Sequence, residues 1–410
     1  MTLLSVEQAR VRILSQFQPV SSETISLVQS ANRILAMDII AADDLPLFDN
    51  SSMDGFAIRA ADSSNAAPAS RVALRVVADI PAGSAPKVSL APGEAARIMT
   101  GAQLPLGADS VVPVEDTDFN NRDAGSIAPS EVQISKPVNS GENVRPRGMD
   151  VHKGDIVLRK GQRINPQSAG ILAMLGFSKV EVYKRPRVAL FSSGDELLEV
   201  NAPLEPGKIR DSNSYMLAAL IESTNAEILR LGVAKDTRDS VTNLIEQAVQ
   251  QNADLIISSA GVSVGAFDYV KEVVESNGAL DFWRVNMRPG KPLAFGNYKN
   301  IPFIGLPGNP VSAFVGFEVF VRETVGRLSG ISDGSRRTVR VRCEEEILSD
   351  GRESYLRAIL HEQDGVQVAK LTGHQGSGNL LSLVQADALL IIPAGVKCVP
   401  AGQEVNAWHL

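Results

Sequence analysis

Hydrophobic positions change their spacing along the chain, and the first stretch has helical spacing. Val6, Ala9 and Ile13 recur three or four positions apart after Ser5, a residue type that often caps helices. A second short helix is predicted over Leu27–Leu35. The amino-terminal region is therefore predicted to be largely helical before the chain enters an aperiodic segment.

Residues from about 57 to 160 have a different pattern, typical of strands joined by turns. Short alternating runs such as Arg71–Ala78 lie between clusters of Pro, Gly, Asn and Asp. A helix is predicted next, because Asn165 is a typical N-cap, Pro166 suits the first helical position and Gly176 suits the residue after the end. This part of the chain is predicted to be a β-rich module followed by one helix.

From about residue 186 to 330, apolar runs alternate with helical stretches. The predicted strands are Val188–Phe191, Leu255–Ile257 and Phe303–Leu306. The predicted helices are Ser214–Ser223, Val241–Gln251, Tyr269–Ser276 and Val311–Leu328. Such an alternation favours a parallel sheet covered by helices on both faces.

After Gly330 the helical spacing stops and short apolar runs take over. The predicted strands are Thr338–Cys343, Tyr355–Leu360, Val366–Leu371, Ala388–Ile392 and Glu404–Trp408. They predict a small β-barrel or sandwich at the carboxyl end of the chain.

Composition narrows the class of protein. With 44% hydrophobic residues, the 410-residue chain can build several cores, and its net charge of −7 argues against a general nucleic-acid binder. Cys343 and Cys398 form no close pair and no Cys/His zinc spacing, which fits a reducing compartment. No apolar run reaches the roughly 18 residues that a membrane span needs, and the amino terminus lacks a cationic leader. We therefore expect a cytoplasmic protein that engages neither membranes nor nucleic acids.

Three predicted strands run directly into loops rich in glycine and small polar residues. These loops are 192–196, 258–265 and 307–310. Because the carboxyl ends of parallel strands lie at one edge of a sheet, the loops are expected to converge there, where open α/β sheets bind ligands. Their backbone N–H groups and the helices that follow predict a phosphate-bearing ligand.

Charged side chains near these loops extend that prediction. Asp195, Glu196 and Asp268 would repel a phosphate unless a cation lay between them, and oxygen ligands without Cys or His favour Mg²⁺. Arg288 and Lys291, in a Pro- and Gly-containing turn, can neutralise phosphate or oxyanion charge. Taken singly, each motif also fits an ordinary turn, a helix start or a solvated charge; their joint occurrence favours a site.

The chain resembles the molybdopterin molybdenumtransferase family, which includes bacterial MoeA proteins and the E domain of gephyrin. The resemblance covers nearly the whole chain. The matching stretches are Phe48–Ala57, Ala96–Ala102, Gly141–Arg145 through Asp150, Asp211–Met216, Gly261–Gly265 with Asp268–Lys271, Arg288–Pro292, Gly305–Ser312 and Gln375–Gly378. It is the order of these stretches that is specific to the family.

The resemblance implies a multi-domain α/β and β protein that forms a homodimer. Its parts would be a helical and extended region (1–45 and 145–180), a β-rich module (46–144), a central doubly wound α/β molybdopterin-binding domain (181–330) and a C-terminal β-barrel (331–410). It also implies a cleft between the α/β domain of one subunit and the β-rich module of the other. Asp54 and Thr100, which would otherwise be read as ordinary turn residues, would then lie opposite the partner's loops.

The implied reaction inserts molybdate into adenylylated molybdopterin, with Mg²⁺-dependent cleavage of the pyrophosphate bridge and release of AMP. The implied catalytic residues are Asp54, Thr100, Asp150, Glu196, Asp236, Asp268, Arg288 and Lys291, with Glu196 and Asp268 as metal ligands. The residues expected to bind the pterin substrate and molybdate are Ser193, Gly194, Gly261, Ser263, Gly265, Pro307, Gly308, Asn309, Pro310 and Ser377. Other enzymes of molybdenum cofactor biosynthesis are implied as partners.

One departure from the family has a physical consequence. Many relatives have Gly where this chain has Ala260, and an alanine held at positive φ would cost about 1 kcal/mol. Two other readings stay open at this stage. A divergent nucleotide or pterin enzyme could use the same α/β domain, and a non-enzymatic scaffold could use the same fold, as gephyrin does.

Overall fold

The computed structural model describes residues 3–120, 125–260, 269–331, 334 and 336–410. The chain divides into two compact units. The larger unit contains Met1–Met37, Lys160–Ala173 and Phe177–Leu410, and the smaller unit contains Asp38–Arg159 and Met174–Gly176. Among the described helices, none is long and apolar enough to span a bilayer.

The helices of the described chain are short and lie mostly in the larger unit. In chain order the α-helices are α1 (Val6–Leu14), α2 (Pro166–Met174), α3 (Asn213–Ser223), α4 (Arg238–Gln250), α5 (Tyr269–Ser276), α6 (Pro310–Gly316), α7 (Arg322–Leu328) and α8 (Leu381–Val384). The 3₁₀ turns are Leu27–Gln29, Ala60–Ser63 and Val114–Asp116, and a π-helical turn, Phe317–Val321, joins α6 to α7.

The strands of the described chain build two large sheets, a barrel and several small pairs. In chain order they are β1 (Leu3–Leu4), β2 (Ser22–Ser26), β3 (Ile39–Ile40), β4 (Asn50–Ser51), β5 (Gly55–Ile58), β6 (Val72–Ile80), β7 (Glu94–Ile98), β8 (Ser110–Pro113), β9 (Glu131–Ile134), β10 (Val144–Arg145), β11 (Ile156–Leu158), β12 (Lys179–Tyr183), β13 (Arg187–Ser193), β14 (Leu197–Leu198), β15 (Ile209–Arg210), β16 (Glu227–Ala234), β17 (Leu255–Ser259), β18 (Gly278–Val285), β19 (Met287–Arg288), β20 (Pro292–Tyr298), β21 (Ile301–Leu306), β22 (Thr338–Cys343), β23 (Ile347–Leu348), β24 (Glu353–Gln363), β25 (Val366–Leu371), β26 (Ala388–Ile392), β27 (Cys398–Val399) and β28 (Glu404–His409).

The first helix forms where the hydrophobic spacing predicts it. Ser5 and Gln8 cap each other's backbone N–H groups at the start of α1, and Val6, Ala9 and Ile13 are buried. The second predicted helix, Leu27–Leu35, is wrong: only a 3₁₀ turn forms, and Ile34 and Leu35 instead make bridges to residues 163 and 182. Asn32, with φ of +62°, interrupts any helix there, because left-handed backbone cannot continue a right-handed helix.

The smaller unit contains the β-rich module. Its five-stranded sheet has the order β8-β5-β7-β6-β9, in which only the β6–β7 pair is parallel. Successive residues of β5 face opposite sides, so that Phe56 and Ile58 pack in one core and Ala57 in another. Among the described residues 38–120 and 125–159, we find 3₁₀ turns but no α-helix, as the sequence predicts.

The α/β domain of the larger unit is a seven-stranded sheet with the order β1-β18-β20-β21-β17-β13-β16. Strands β16, β13, β17 and β21 are parallel, and β20 is antiparallel to both of its neighbours. Alternate residues of β13 face opposite sides: Val188 and Leu190 pack with α3 and α6, whereas Ala189 and Phe191 pack with α4 and α5. The predicted sheet with helices on both faces is confirmed.

The carboxyl-terminal domain is a closed barrel. Strands β24, β25, β22, β28 and β26 pair in that order, and β26 pairs back with β24 to complete the ring. Leu356, Ala358, Val341 and Ala407 are among the side chains that fill its interior. This confirms the barrel and, with the α/β domain and β-rich module, the predicted multi-domain α/β and β fold.

Candidate functional site

Three of the parallel strands end in one row at one edge of the α/β sheet. Ser192 of β13 is in register with Ser259 of β17, and Ser259 is in register with Leu306 of β21. The residues that follow this row therefore begin side by side, as the sequence predicts. We call residues 194–196, 260 and 307–310 the strand-end loops. The predicted residues Gly261, Ser263, Gly265 and Asp268 lie outside the described residues.

Asn213, at the start of α3, joins the third strand-end loop to the end of β17. Its Nδ2 atom donates to Ser259 Oγ at 2.8 Å and to the carbonyl oxygen of Gly308 at 2.7 Å. Both serines of the row, Ser192 and Ser259, face α3, because they continue the alternation that points Val188 and Leu255 to that side. Asn213 thus fixes the third loop against the end of β17.

Three buried polar atoms beside these loops have no hydrogen-bond partner within the part of the chain that the structure describes. They are Ser192 Oγ, Asp211 Oδ2 and Asn213 Oδ1. The other carboxylate oxygen of Asp211 accepts the backbone N–H of Ser214 at 3.1 Å and so caps α3. Because a buried polar atom normally has a partner, this edge of the sheet is suited to a polar ligand.

The first strand-end loop brings carboxylates together. Asp195 and Asp236 bond to each other's backbone, since each N–H donates to the other's carboxylate, at 3.3 and 3.1 Å. A Cβ atom added at Gly194 would lie 2.5 Å from Glu196 Oε2, so only glycine allows Glu196 to fold back over this position. Ser193 is buried at the end of β13 and Glu196 is exposed.

Metal binding was predicted for Glu196 and Asp268, and only Glu196 is among the described residues. Within residues 3–120, 125–260, 269–331, 334 and 336–410, no three Asp, Glu, His or Cys side chains come together as a metal site. Asp195, which is exposed and adjoins Glu196 in the sequence, still brings the half-buried Asp236 to this loop through their mutual backbone bonds.

The second strand-end loop begins at Ala260, for which the sequence raises the question of a positive φ. Ala260 has φ of +75°, and its N–H donates to the carbonyl oxygen of Leu306 at 3.0 Å. A Cβ atom added at Gly308 would lie 3.3 Å from the Ala260 methyl group, so the second and third loops touch here. Alanine therefore does occupy the strained backbone conformation.

Replacing Ala260 with glycine is expected to raise the free energy of unfolding by about 1 kcal/mol, because glycine adopts positive φ without the Cβ penalty. The measurement is chemical denaturation of both proteins. The matched control is Ala219→Gly in the exposed face of α3, which should lower the free energy of unfolding by about 0.5–1 kcal/mol. A loss of stability in the Ala260→Gly variant would contradict the strain.

The third strand-end loop leads into α6 and meets a loop of the barrel domain. Asn309 is the N-cap residue, and Pro310, which has no N–H group, is the first residue of α6. The N–H of Val311 donates to the carbonyl oxygen of Ser377 at 3.1 Å. Pro307, Pro310 and Ser377, predicted from the resemblance to belong to one pocket, therefore lie in neighbouring loops.

A buried arginine, which sequence reasoning missed, supports the loop 372–380 between β25 and α8, which we call the Ser377 loop. Arg357 of β24 is fully buried, and it lies on the face of the strand opposite to Leu356 and Ala358. Its Nη2 donates to the carbonyl oxygens of His374 at 3.3 Å and Gly376 at 3.1 Å, and its Nε donates to Ser382 Oγ at 3.0 Å.

The charge of Arg357 has no counter-ion among the described residues. Its Nη1 atom is buried without a hydrogen-bond partner there. Burial, and then the charge of Arg288, lowers the pKa of Arg357 to about 10, so the guanidinium stays protonated at neutral pH. A buried cation that keeps a free donor is a natural site for an oxyanion.

Arg288 and Lys291 lie in the turn between β18 and β20. Arg288 pairs with Ser354 in the barrel domain, and its Nη1 lies 3.8 Å from Asp350 Oδ2. Hydrogen bonding to Arg352, with a smaller contribution from Arg288, lowers the pKa of Asp350 to about 2. Lys291 is exposed.

Asp54, Thr100 and Asp150, which the resemblance implies as catalytic residues, all lie in the smaller unit. Thr100 donates both its backbone N–H and its Oγ1 to Asp54 Oδ1, at 2.7 and 2.8 Å. Asp150 Oδ2 accepts a bond from Arg145 at 2.6 Å. Thr100 therefore fixes one carboxylate oxygen of Asp54 in an exposed position.

Comparison with known families matches nearly the whole chain. Residues 4–176 match the MoeA N-terminal region (domain I and II), residues 189–327 match the probable molybdopterin binding domain, and residues 340–410 match the MoeA C-terminal region (domain IV). The fold and site therefore define a multi-domain protein of the MoeA class.

Named relatives are similar over the same length. A molybdopterin molybdenumtransferase of Nostoc is 41% identical over 95% of this chain and 89% of its own, and one of Haemophilus influenzae is 36% identical over 98% of both. The crystal structure of a molybdopterin biosynthesis MoeA protein from Pyrococcus horikoshii has a TM-score of 0.82 at 32% identity, covering 100% of this chain and 99% of its own. The chain belongs to the molybdopterin molybdenumtransferase family, whose members are transferases of molybdenum cofactor biosynthesis.

Proposed function

We propose that this chain transfers molybdenum to molybdopterin, inserting molybdate into the adenylylated pterin with Mg²⁺-dependent release of AMP. The observation that carries this proposal is the meeting of the third strand-end loop with the Ser377 loop beside the buried, unpaired charge of Arg357. Molybdate is a compact oxyanion, to which Arg357 offers positive charge and a free donor and Ser377 a hydroxyl group.

The pterin substrate is assigned to the strand-end loops. Backbone N–H groups near Gly194 and Gly308, with Gly261, Ser263 and Gly265, would hold its phosphate groups. Arg288 and Lys291 would neutralise the charge that develops as the pyrophosphate bridge breaks. Molybdate and the adenylylated pterin would be held in adjoining pockets. Cleavage of the pyrophosphate bridge would then be coupled to insertion of the metal, because both reactants are positioned together.

Mg²⁺ fits the donor set of the first loop. Glu196 and Asp195, which are exposed, and the half-buried Asp236 supply carboxylate oxygens, the ligand type that Mg²⁺ prefers while it keeps several waters. Asp268 is the further ligand we assign. The ion would neutralise phosphate charge there.

The remaining assignments complete the proposal. Asp54, Thr100 and Asp150 would act across a homodimer, in the cytoplasm, with other cofactor-biosynthesis enzymes as partners. The four-part division of the chain at residues 45, 144, 180 and 330 is part of the same proposal.

The test is AMP release measured with and without molybdate, in parallel with assay of active cofactor. We expect AMP and inserted metal to be formed in equal amounts, and Glu196→Gln to slow AMP release by at least about 100-fold. The matched control is Glu199→Gln, an exposed glutamate three residues further along. An AMP yield unrelated to metal incorporation, or equal losses in both variants, would refute the coupling or the role of Glu196.

A further inference from the structure

A cavity away from the strand-end loops is lined by four arginines. It has a volume of about 470 Å³, and Arg163, Arg322, Arg336 and Arg337 contribute to its wall. None of the described residues that line it is acidic or aromatic. It lies at the carboxyl ends of α3 and α7, beside the residues that lead into β22.

Two of these arginines are fixed by one buried carboxylate. Both oxygens of Glu318 accept bonds from Nε and Nη2 of Arg322, at 2.6 and 2.8 Å, and from the same atoms of Arg336, at 2.5 and 2.9 Å. The Glu318 side chain is 0% exposed, and those of Arg322 and Arg336 are 17% and 21% exposed. Two largely buried cations therefore share a single anion.

The carboxylate is ionised in this arrangement. Burial alone would raise the pKa of Glu318, but its bonds to Arg336 and Arg322 hold the pKa below its ordinary value. One negative charge thus faces two positive charges, which leaves a net charge of +1 in a region largely shielded from water. Such an excess is unfavourable without a compensating anion.

Arg163 and Arg337 increase the excess. Both are exposed, and among the described residues neither forms an ion pair with a carboxylate; Arg163 donates only to the carbonyl oxygen of Asn32, at 3.4 Å. Among the described residues of the wall together with Glu318, four guanidinium groups less one carboxylate give +3. The carboxyl ends of α3 and α7 contribute partial charges of about −0.5 each, too little to balance it.

We propose that this cavity binds a compact phosphate-bearing anion through the guanidinium groups of Arg163, Arg322, Arg336 and Arg337. The exposed guanidinium groups of Arg163 and Arg337 can match phosphate oxygens in pairs. Arg322 and Arg336, whose Nε and Nη2 atoms bond to Glu318, contribute positive charge at fixed positions. Because the described wall has no aromatic side chain for a base to stack on, recognition rests on the phosphate groups. The bound anion would tie α3 and α7 to the segment that enters the barrel, independently of the proposed reaction.

The test is calorimetric titration of the full-length protein with inorganic diphosphate at constant ionic strength. We expect saturable binding that weakens at least tenfold in the double variant Arg163→Gln/Arg337→Gln, whose exposed side chains do not support the core. The matched control, Arg340→Gln/Arg342→Gln, removes two exposed arginines of β22 and should change the affinity less than twofold. No saturable binding, or equal weakening in both double variants, would overturn the site.

A second series of titrations distinguishes the source of the phosphate. Orthophosphate, diphosphate, AMP and ADP are compared under the same conditions, and only the binding that the Arg163→Gln/Arg337→Gln variant loses is assigned to the cavity, because the strand-end loops are themselves proposed to hold an adenylylated substrate. The proposal predicts that ADP and diphosphate bind within a fewfold of each other, because only the phosphate groups are held. ADP binding more than tenfold tighter than diphosphate would contradict recognition through phosphate alone.

Discussion

Replacing Arg357 with methionine is expected to lower molybdate-dependent turnover by at least about 100-fold, the scale seen when a preorganised donor to a developing anion is removed. The substitution keeps much of the side-chain volume but removes the charge and the free Nη1 donor. It also leaves the carbonyl oxygens of His374 and Gly376 without their guanidinium partner. The Ser377 loop would then lose both its anchor and its positive charge.

The measurement separates the two substrates. Steady-state kinetics should show the larger change in the KM for molybdate, with a smaller change in the KM for adenylylated molybdopterin. Arg357→Lys, which keeps the charge but cannot bridge Ser382 and two carbonyl oxygens, should fall between the wild type and Arg357→Met. Arg340→Met, on an exposed position of the same barrel, is the control. If the folded Arg357→Met variant keeps the wild-type turnover and KM for molybdate, Arg357 does not bind molybdate.

The second large effect is on stability. Glu318→Ala is expected to lower the free energy of unfolding by about 3–5 kcal/mol, because it removes the carboxylate that two largely buried arginines share. Chemical denaturation in phosphate-free buffer measures this loss.

Glu7→Ala provides the comparison for Glu318→Ala. Glu7 pairs with Arg10 at 2.9 Å on the surface of α1, where an exposed pair contributes less than about 1 kcal/mol. If both substitutions lower the free energy of unfolding by the same amount, then removing Glu318 does not leave uncompensated buried charge on Arg322 and Arg336.

Elements with a strong hydrophobic period could be predicted from the sequence with close bounds. The strand predictions Thr338–Cys343, Val366–Leu371 and Ala388–Ile392 and the helix Tyr269–Ser276 coincide with the structure. Strand β20 was not predicted, since its run from Pro292 to Tyr298 contains Gly296 and Asn297 and lacks a clear alternation.

The site could be predicted only as far as topology determines it. Convergence of the strand-end loops follows from parallel pairing, and the register of Ser192, Ser259 and Leu306 confirms it. The contacts of Asn213 and the burial of Arg357 could not be predicted in this way, because they depend on how a helix and a distant loop pack. Their only sequence signals are the family-matching stretch Asp211–Met216 and a charge inside the apolar run Tyr355–Leu360.

The barrel's ring of five strands has a consequence for solubility during folding. The edge strand of an open sheet has unpaired backbone N–H and C=O groups that can hydrogen-bond to a strand of another chain. The β24–β26 pairing closes the barrel and removes such an edge from the carboxyl-terminal domain. In the α/β sheet, β16 is a long outer strand, and its register shifts where Gly232 has φ of +95°. That irregularity twists the outer strand and makes it a poor template for intermolecular β-aggregation.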